Sequence, residues 1–437
     1  MSLYGAMTTA ISGLNAQAKS LGNISDNVAN SQTTGFKRVD TSFVNYLTLS
    51  TQRIHSPGSV VARPDYTNTL QGTVEQVENS LSLALAGQGF FAVSRSDGES
   101  LGQPTFDDQI YYSRAGDFTL DENGYLVNGS GYYLRAWNMD AAGNVDRTST
   151  HELRITDTLF NPVPTSEVTV SANLPDDLPT GAPDPASEIQ IYDTLGTLRT
   201  VRLNWTRNDH NDWTLGVVVP DDIADANRGT IDIAFGDASV NTVPDGTIGN
   251  FGAAAGPGAP TGTAYAPGGA ATVSFITDFG NGPQTVSLKL GSYGSSAGVT
   301  QYGGTEYSER SLSQNGVPLG SFSSLAFRDN GDVVINYDNG QARTVARVPV
   351  VTFNDPDQLQ RQDGQAFTRT LESGDAKYLD AASNGAGKLV VSAVERSNVD
   401  IASEFTKLIV AQRAYTANTK VVTASDEMLQ DTLNMRR

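Results

Sequence analysis

The residues best able to move a proton near neutral pH, or to hold a metal, are His55, His151 and His210. They stand far apart in polar surroundings, with no His-x-x-x-His spacing and no acidic cluster beside them, so each reads as a surface residue. Cysteine is absent, which removes disulfides, thiolate metal sites and thiol nucleophiles together. Gly87-Gln88-Gly89-Phe90-Phe91 has the glycines of a phosphate loop but neither its third glycine nor its Lys-Ser/Thr pair, and a strand follows rather than a helix. Asp140-Ala-Ala-Gly-Asn144-Val-Asp146 offers oxygen ligands off the calcium-loop spacing and reads as a turn. Asp278-Phe279-Gly280 lacks the lysine strand and catalytic loop of a kinase. Asn123-Gly124, Asn330-Gly331 and Asn339-Gly340 fit hairpin turns that need positive φ better than paired catalytic carboxylates. Residue chemistry therefore points away from an enzyme, and neither a cofactor nor a metal is expected.

The elements around these residues say more. Met7, Leu14, Leu21 and Val28 recur every seven residues, with Leu3, Ile11 and Ala18 between them, which predicts an apolar stripe along a helix over 1–30. A second helix is predicted over 398–437, where Val394, Ile401, Leu408, Tyr415, Val422 and Leu429 keep the same spacing. There the intermediate positions, Ala411, Asn418, Ser425 and Thr432, are small or polar. Ser397-Asn398-Val399-Asp400 supplies the start signal, with Ser397 expected to cap the first turn. Chain ends usually fray, so two long helices of matched period at the two ends are best explained if they pair as a coiled coil and the rest is an excursion between them.

Charge divides the chain in the same way. The net charge is −19 over 437 residues, which argues against nucleic acid or an anionic membrane as partner. Residues 1–40 carry three Lys/Arg and two Asp/Glu and residues 398–437 carry five of each, so the ends total +1 and the middle −20. Near-neutral helices can crowd together while an acidic middle stays solvated. No run approaches the roughly 20 apolar residues that span a bilayer. The N-terminus also lacks the basic region, apolar run and small-residue cleavage site of a secretory signal.

Residues 31–75 show no helical period and read as an ordered or semi-extended connector. From 76 to 160, and again from 321 to 397, short strands alternate with Asx-Gly turns, and the two stretches resemble each other in texture. Between them, 161–320 is a second β region, with a Gly/Ala/Pro-rich stretch at 249–270 that reads as a long surface loop. The expected fold class is α+β: long terminal helices, with two nested, mainly antiparallel β domains inserted between them. In that nesting, 76–160 and 321–397 fold together as an inner domain and 161–320 projects as an outer one.

The end motifs carry a family resemblance. Ser12-Gly13-Leu14-Asn15-Ala16, continuing to Asn27-Val28-Ala29-Asn30-Ser31-Gln32-Thr33-Thr34-Gly35-Phe36-Lys37, resembles the N-terminal signature of the bacterial flagellar rod and hook axial proteins. Ser397-Asn398-Val399-Asp400, then Ala411-Gln412-Arg413-Ala414-Tyr415, Asn418, Lys420 and Val421, resembles the C-terminal half of that signature. Ala86 to Phe91 and Ser113 to Phe118 are similar to the inner β-domain shared by rod and hook. Ile191 to Gly196 with Trp213, Gly298 to Tyr302, and Tyr337 to Gln341 resemble the hook branch in particular. The likeness is weakest over 221–270. Distal rod proteins, the nearest alternative, are shorter and lack the inserted outer domain; a β-rich adhesin or carbohydrate-active protein would need aromatic and carboxylate clusters that are absent from the motifs above.

The resemblance implies an exported structural subunit that polymerises with itself into a curved tubular universal joint, extracellular and delivered without a cleaved signal. It implies contacts with the export apparatus and with hook cap, distal rod and hook–filament junction proteins. Open head-to-tail contacts that do not close into a ring generate such a helical polymer. The residues expected at subunit interfaces are Leu3, Met7, Ile11, Leu14, Leu21 and Val28 of the first helix, with Gly13 and Gly22 allowing close approach. Phe36, Lys37 and Arg38 are expected to dock the connector, and Ile401, Phe405, Leu408, Gln412, Arg413, Tyr415, Val422 and Leu429 to serve from the second helix.

Overall fold

The structure is a computed structural model that describes residues 3–50, 55–140, 143–156, 159–178, 183–236 and 242–435. Helix α1 spans Leu3–Ala29 and helix α2 spans Ile401–Asn434. At 1.5 Å per residue, α2's 34 residues make a rod about 51 Å long. Its start is fixed by Asp400 rather than by the expected Ser397: the Asp400 carboxylate accepts from the backbone N–H groups of Ala402 at 2.9 Å and Ser403 at 3.2 Å. Ser397 is one turn too early and accepts from Val399 N–H instead.

The two helices pack antiparallel. Asn27 donates to the Glu404 carboxylate at 3.1 Å, and a Cβ added to Gly13 would lie 2.9 Å from the Asn418 amide nitrogen. The 14-residue step from Gly13 to Asn27 equals that from Glu404 to Asn418, so one register holds along the seam. In steps of seven it sets Ser20 level with Ala411 and Ala6 with Ser425. Ser20, Asn27, Glu404, Ala411 and Ser425 are all buried. The seam is thus built on the small and polar positions, next to the apolar heptads and not on them. The large apolar heptad residues Leu14, Leu21, Val28, Leu408 and Val422 lie half-buried beside it.

The connector also departs from the sequence reading. Two 12-residue strands, β1 (Val39–Ser50) and β2 (His55–Tyr66), form an antiparallel hairpin, pairing Val39 with Tyr66 and Val44 with Val61; residues 51–54 at its tip lie outside the described residues. The hairpin lies on α1, where Thr9 donates to the Gly58 carbonyl at 2.8 Å and Asn23 to the Thr41 hydroxyl at 2.9 Å. Pro57, Gly58 and Pro64 made this stretch look irregular, but as an isolated two-strand ribbon it has both edges free to carry proline.

Chain contacts divide the protein into two compact units, the first comprising 1–156, 324–336 and 342–437 and the second 157–323 and 337–341. In the first, strands Gln103–Ser113, Phe91–Ser100, Tyr132–Asn138, Ala342–Arg347 and Asp332–Tyr337 lie side by side in that order, over a core that includes Phe91, Phe118, Trp137 and Ile335. Leu83–Ala86 pairs with Lys388–Val391, and Val74–Gln76 with Ala393–Glu395, so strands from both flanks of the middle share sheets. In the second unit a five-stranded antiparallel meander runs from Ala186–Tyr192 to Ile248–Ala255, and another sheet is organised around Glu167–Pro175. That strand runs parallel to Pro283–Ser292 and to Val299–Tyr302. Trp205, Trp213, Phe235, Phe275 and Leu288 fill the space between. The expected loop at 249–270 begins as strand, because Phe251 and Ala254 pair with Ile233 and Ile231 of Asn227–Phe235.

Candidate assembly interface

At the root of the helical pair, three charges are enclosed by the first unit. Glu395 places one carboxylate oxygen 2.5 Å from the Lys37 ammonium and the other 2.9 Å from the Arg114 guanidinium, with side-chain exposures of 1%, 1% and 2% respectively. Around them the backbone completes the hydrogen bonding. Lys37 donates to the Leu70 carbonyl at 2.6 Å, Arg114 to the Gly87 carbonyl at 2.7 Å, and Gly72 N–H to Glu395 at 2.8 Å. Gly72 has to be glycine, since a Cβ there would lie 1.9 Å from the Arg396 carbonyl oxygen.

Two cations share one anion, and the electrostatics follow from that surplus. Burial, and then repulsion from Arg114, bring the Lys37 ammonium down from 10.5 to about 8 against the pull of Glu395. For Glu395 burial pushes the carboxyl up, but Arg114 and Lys37 outweigh it and hold the group below its ordinary value. The cluster joins the connector (Lys37), the β-domain (Arg114) and the strand that leads into α2 (Glu395). It ties the segments that follow α1 and precede α2 to the β-strands of the same unit.

A second polar knot ties α1, β1 and α2 together. Asn27, fully buried, exchanges hydrogen bonds with the backbone of Val39 at 2.9 and 3.0 Å while donating to Glu404. Glu404 also accepts from Lys407 at 2.7 Å, and Lys407 reaches Asp40 of β1 at 2.5 Å. Arg361 donates to the Lys37 carbonyl and sits over the Phe36, Tyr66 and Phe367 rings at 5.3, 5.7 and 5.8 Å.

Apart from Leu3, the residues expected at interfaces fall into three groups. Phe36 and Lys37 are buried in their own chain and Arg38 is half-buried, its N–H donating to the Asn398 side chain at 2.8 Å. All three are held by contacts within their own chain, where Phe36 and Lys37 are enclosed. Met7, Gly13, Leu14, Leu21, Val28, Leu408, Val422 and Leu429 are half-buried along the flanks of the seam. Ile11, Gly22, Ile401, Phe405, Gln412, Arg413 and Tyr415 are exposed, with Phe405 at 51%. Leu3 opens α1, and its side chain lies outside the described residues. Gly22 has no neighbour within 4 Å of an added Cβ, unlike Gly13.

Arg114, Glu395, Asn27 and Glu404 were not singled out as site residues from sequence. The signal for Glu395 was available: in the strand Ala393–Glu395, alternation puts it on the same buried face as Ala393, and a carboxylate on a buried face needs a partner. Of the histidines, His151 is exposed beside Ser149, and His210 lies 3.6 Å from Asp176 at the surface. His55 opens β2 and its side chain lies outside the described residues. Among the described residues no group of His, Asp or Glu could hold a metal ion. Gly124, Gly331 and Gly340 have φ of 83°, 89° and 78°, as the turn reading requires.

Four family models match in chain order: a flagella basal body rod protein model over 7–37, the flagellar hook protein FlgE/F/G D1 domain over 84–178, the flagellar basal body protein FlaE D2 domain over 135–317, and the flagellar basal body rod FlgEFG protein C-terminal model over 391–435. The Brucella abortus flagellar hook protein FlgE is 30% identical over 442 residues, covering 100% of both chains. The chain belongs to the flagellar hook protein family. The Rhizobium meliloti and Escherichia coli hook proteins FlgE are 30% and 27% identical, covering 100% and 99% of this chain and 100% of each relative. The solved Helicobacter pylori flagellar hook protein FlgE2 aligns with a TM-score of 0.46 at 14% identity, covering 74% of this chain and 100% of that one. The hook family is a structural one, and the chain is a subunit of the extracellular flagellum. No helix among the described residues is long and apolar enough to cross a membrane.

Proposed function

We propose that this hook subunit polymerises through the outward faces of α1 and α2, the two helices forming an inner tube as a coiled-coil pair. In this reading 31–75 is a connector clamped at its base, 76–160 with 321–397 is an inner β layer, and 161–320 is an outer layer. The polymer acts as a universal joint: the helical contacts persist while acidic outer surfaces with few apolar anchors slide as the joint bends. The observation that carries this reading is the mismatch between seam and stripe. The intrachain seam uses small and polar residues, and it leaves Ile401, Phe405, Ile409, Tyr415 and Met428 exposed at 40%, 51%, 50%, 41% and 58%. A long helix that turns large apolar residues outward is best covered by further copies. Partners at the ends of the polymer, namely cap, distal rod and junction proteins, would meet the same helical surfaces, and delivery without a cleaved signal belongs to the same proposal.

The test uses the full chain as sole hook subunit in its own bacterium, with sheared flagella examined by electron microscopy. Wild type is expected to give curved tubes. Phe405→Asp with Tyr415→Asp is expected to leave a folded subunit in the medium and no tubes. Wild-type chain that is exported yet stays monomeric, or a double variant that forms normal tubes, would sink the reading.

A further inference from the structure

On α2, Arg413, Lys420 and Glu427 recur every seven residues, and Asp431 lies one turn beyond Glu427. With Ala417 and Ala424 between them they form one straight stripe, all six residues exposed. Relative to the seam positions Ala411, Asn418 and Ser425, the stripe is advanced by two residues, about 200° around a helix of 3.6 residues per turn, so it faces away from α1. Among the described residues none of the four charges has a salt-bridge partner, whereas Glu404 and Lys407 of the same helix pair with each other and Lys407 with Asp40. Gln412, Arg413, Thr416, Ala417 and Lys420 line a shallow groove of about 400 Å³ there.

The pattern is polar along the helix: basic in the middle, acidic toward the C-terminal end. Laid side by side in register, two such stripes would oppose like charges. Displaced along the axis they complement each other, because a shift of 14 residues brings Glu427 to Arg413 and a shift of 11 brings Asp431 to Lys420. The alanines let the backbones approach while the long side chains reach across.

We propose that this stripe is a stagger-setting contact between copies of the chain, in which the basic half of one α2 receives the acidic end of the next, displaced by roughly 16–21 Å at 1.5 Å per residue. The inference rests on the polymer reading above and adds its register. The occupant is a second copy because the complementary charges lie on the same helix, and because a head-to-tail offset is the arrangement that propagates rather than closing. Apolar burial supplies affinity, and the charges reject the unstaggered alignment.

Two variants of opposite sign test it: one carrying Arg413→Glu and Lys420→Glu, the other Glu427→Lys and Asp431→Lys. Each alone, as sole subunit, should be exported but yield at least about tenfold fewer polymers than wild type, since attraction becomes repulsion at each contact. Co-expression of the two, or all four changes in one chain, should restore polymers to near the wild-type number, which loss of helix stability would not allow. The absence of native cysteine permits a second readout. Lys420→Cys with Asp431→Cys in one chain cannot close on itself, being about 16 Å apart on one helix, so oxidised polymers should run as covalent ladders of many subunits. Normal assembly of either single-sign variant, or no rescue together with no ladder, overturns the stripe while wild-type tubes keep the polymer reading intact. Wild-type failure to assemble would remove both.

Discussion

Removing the single anion of the buried cluster is the most informative change within one subunit. Glu395→Gln keeps the size and can keep the acceptor for Gly72 N–H, but it leaves Lys37 and Arg114, exposed by 1% and 2%, with no counter-charge. Breaking a buried pair from one side costs about 3–5 kcal/mol, which at about 2–4 °C per kcal/mol is a fall of roughly 6–20 °C in the melting of the first unit. Lys37→Met should cost less, about 1–3 kcal/mol for the Leu70 carbonyl left without its donor, because Glu395 and Arg114 then remain as a balanced pair. The pH dependence has a definite sign. Lys37 is depressed from 10.5 to about 8 in the folded protein, so between those values the unfolded chain holds more protons and stability rises with pH. Glu395 is depressed below 4.5, so its contribution is present above that value and is lost as pH falls through its folded value. Without the carboxylate, Lys37 is depressed further, and the penalty of Glu395→Gln should shrink from pH 7 to pH 9. Circular dichroism melts of the full-length monomer, with the two units' transitions separated, measure each of these. Equal penalties for Glu395→Gln and Lys37→Met, or a Glu395→Gln penalty that grows with pH, would refute the surplus-cation account.

Asn27→Ala strips the buried knot of its hydrogen bonds to Val39 and Glu404 and should cost about 2–4 kcal/mol in the same melts, with amide exchange accelerated first in α1 and β1. Gly22→Ala should be neutral or stabilise α1 by up to about 1 kcal/mol in the monomer, there being open space around it; a simultaneous loss of polymers would locate a neighbouring copy at that point. Gly13→Leu, by contrast, drives a side chain into Asn418 and should separate the helices, seen as lost helical signal in the monomer, whereas Gly13→Ala needs only a small shift of the Asn418 amide. Asp400→Ala removes the cap of α2 and should cost about 1 kcal/mol, with fraying confined to the first turn in exchange experiments.

The features legible in the sequence were those with a strong period or a fixed turn chemistry. Seven-residue spacing announced both helices, and Asx-Gly pairs marked hairpin turns whose glycines have positive φ. The hairpin over 39–66 was not legible: Pro57, Gly58 and Pro64 carry loop signals, and the partner that makes the ribbon worthwhile is α1, far from any local window. Strand Ile248–Ala255 was missed for the related reason that Gly-Asn-Phe-Gly-Ala-Ala-Ala has almost no intrinsic strand preference and is held by pairing with Asn227–Phe235. The seam shows the limit of periodicity most clearly. A heptad of large apolar residues specifies that something must cover it, not what does. Within one chain the Gly13–Ser20–Asn27 line meets Glu404–Ala411–Asn418, because small residues let two helices approach while their polar groups satisfy each other, and this leaves the apolar stripes on the flanks and outer face. A monomer that buried its best apolar residues in its own seam would have little left to hold a neighbour. Polar economy in the seam and partly exposed apolar residues beside it are therefore two consequences of one division, in which the small and polar heptads bring the helices together and the large ones lie on the flanks, half-buried or exposed.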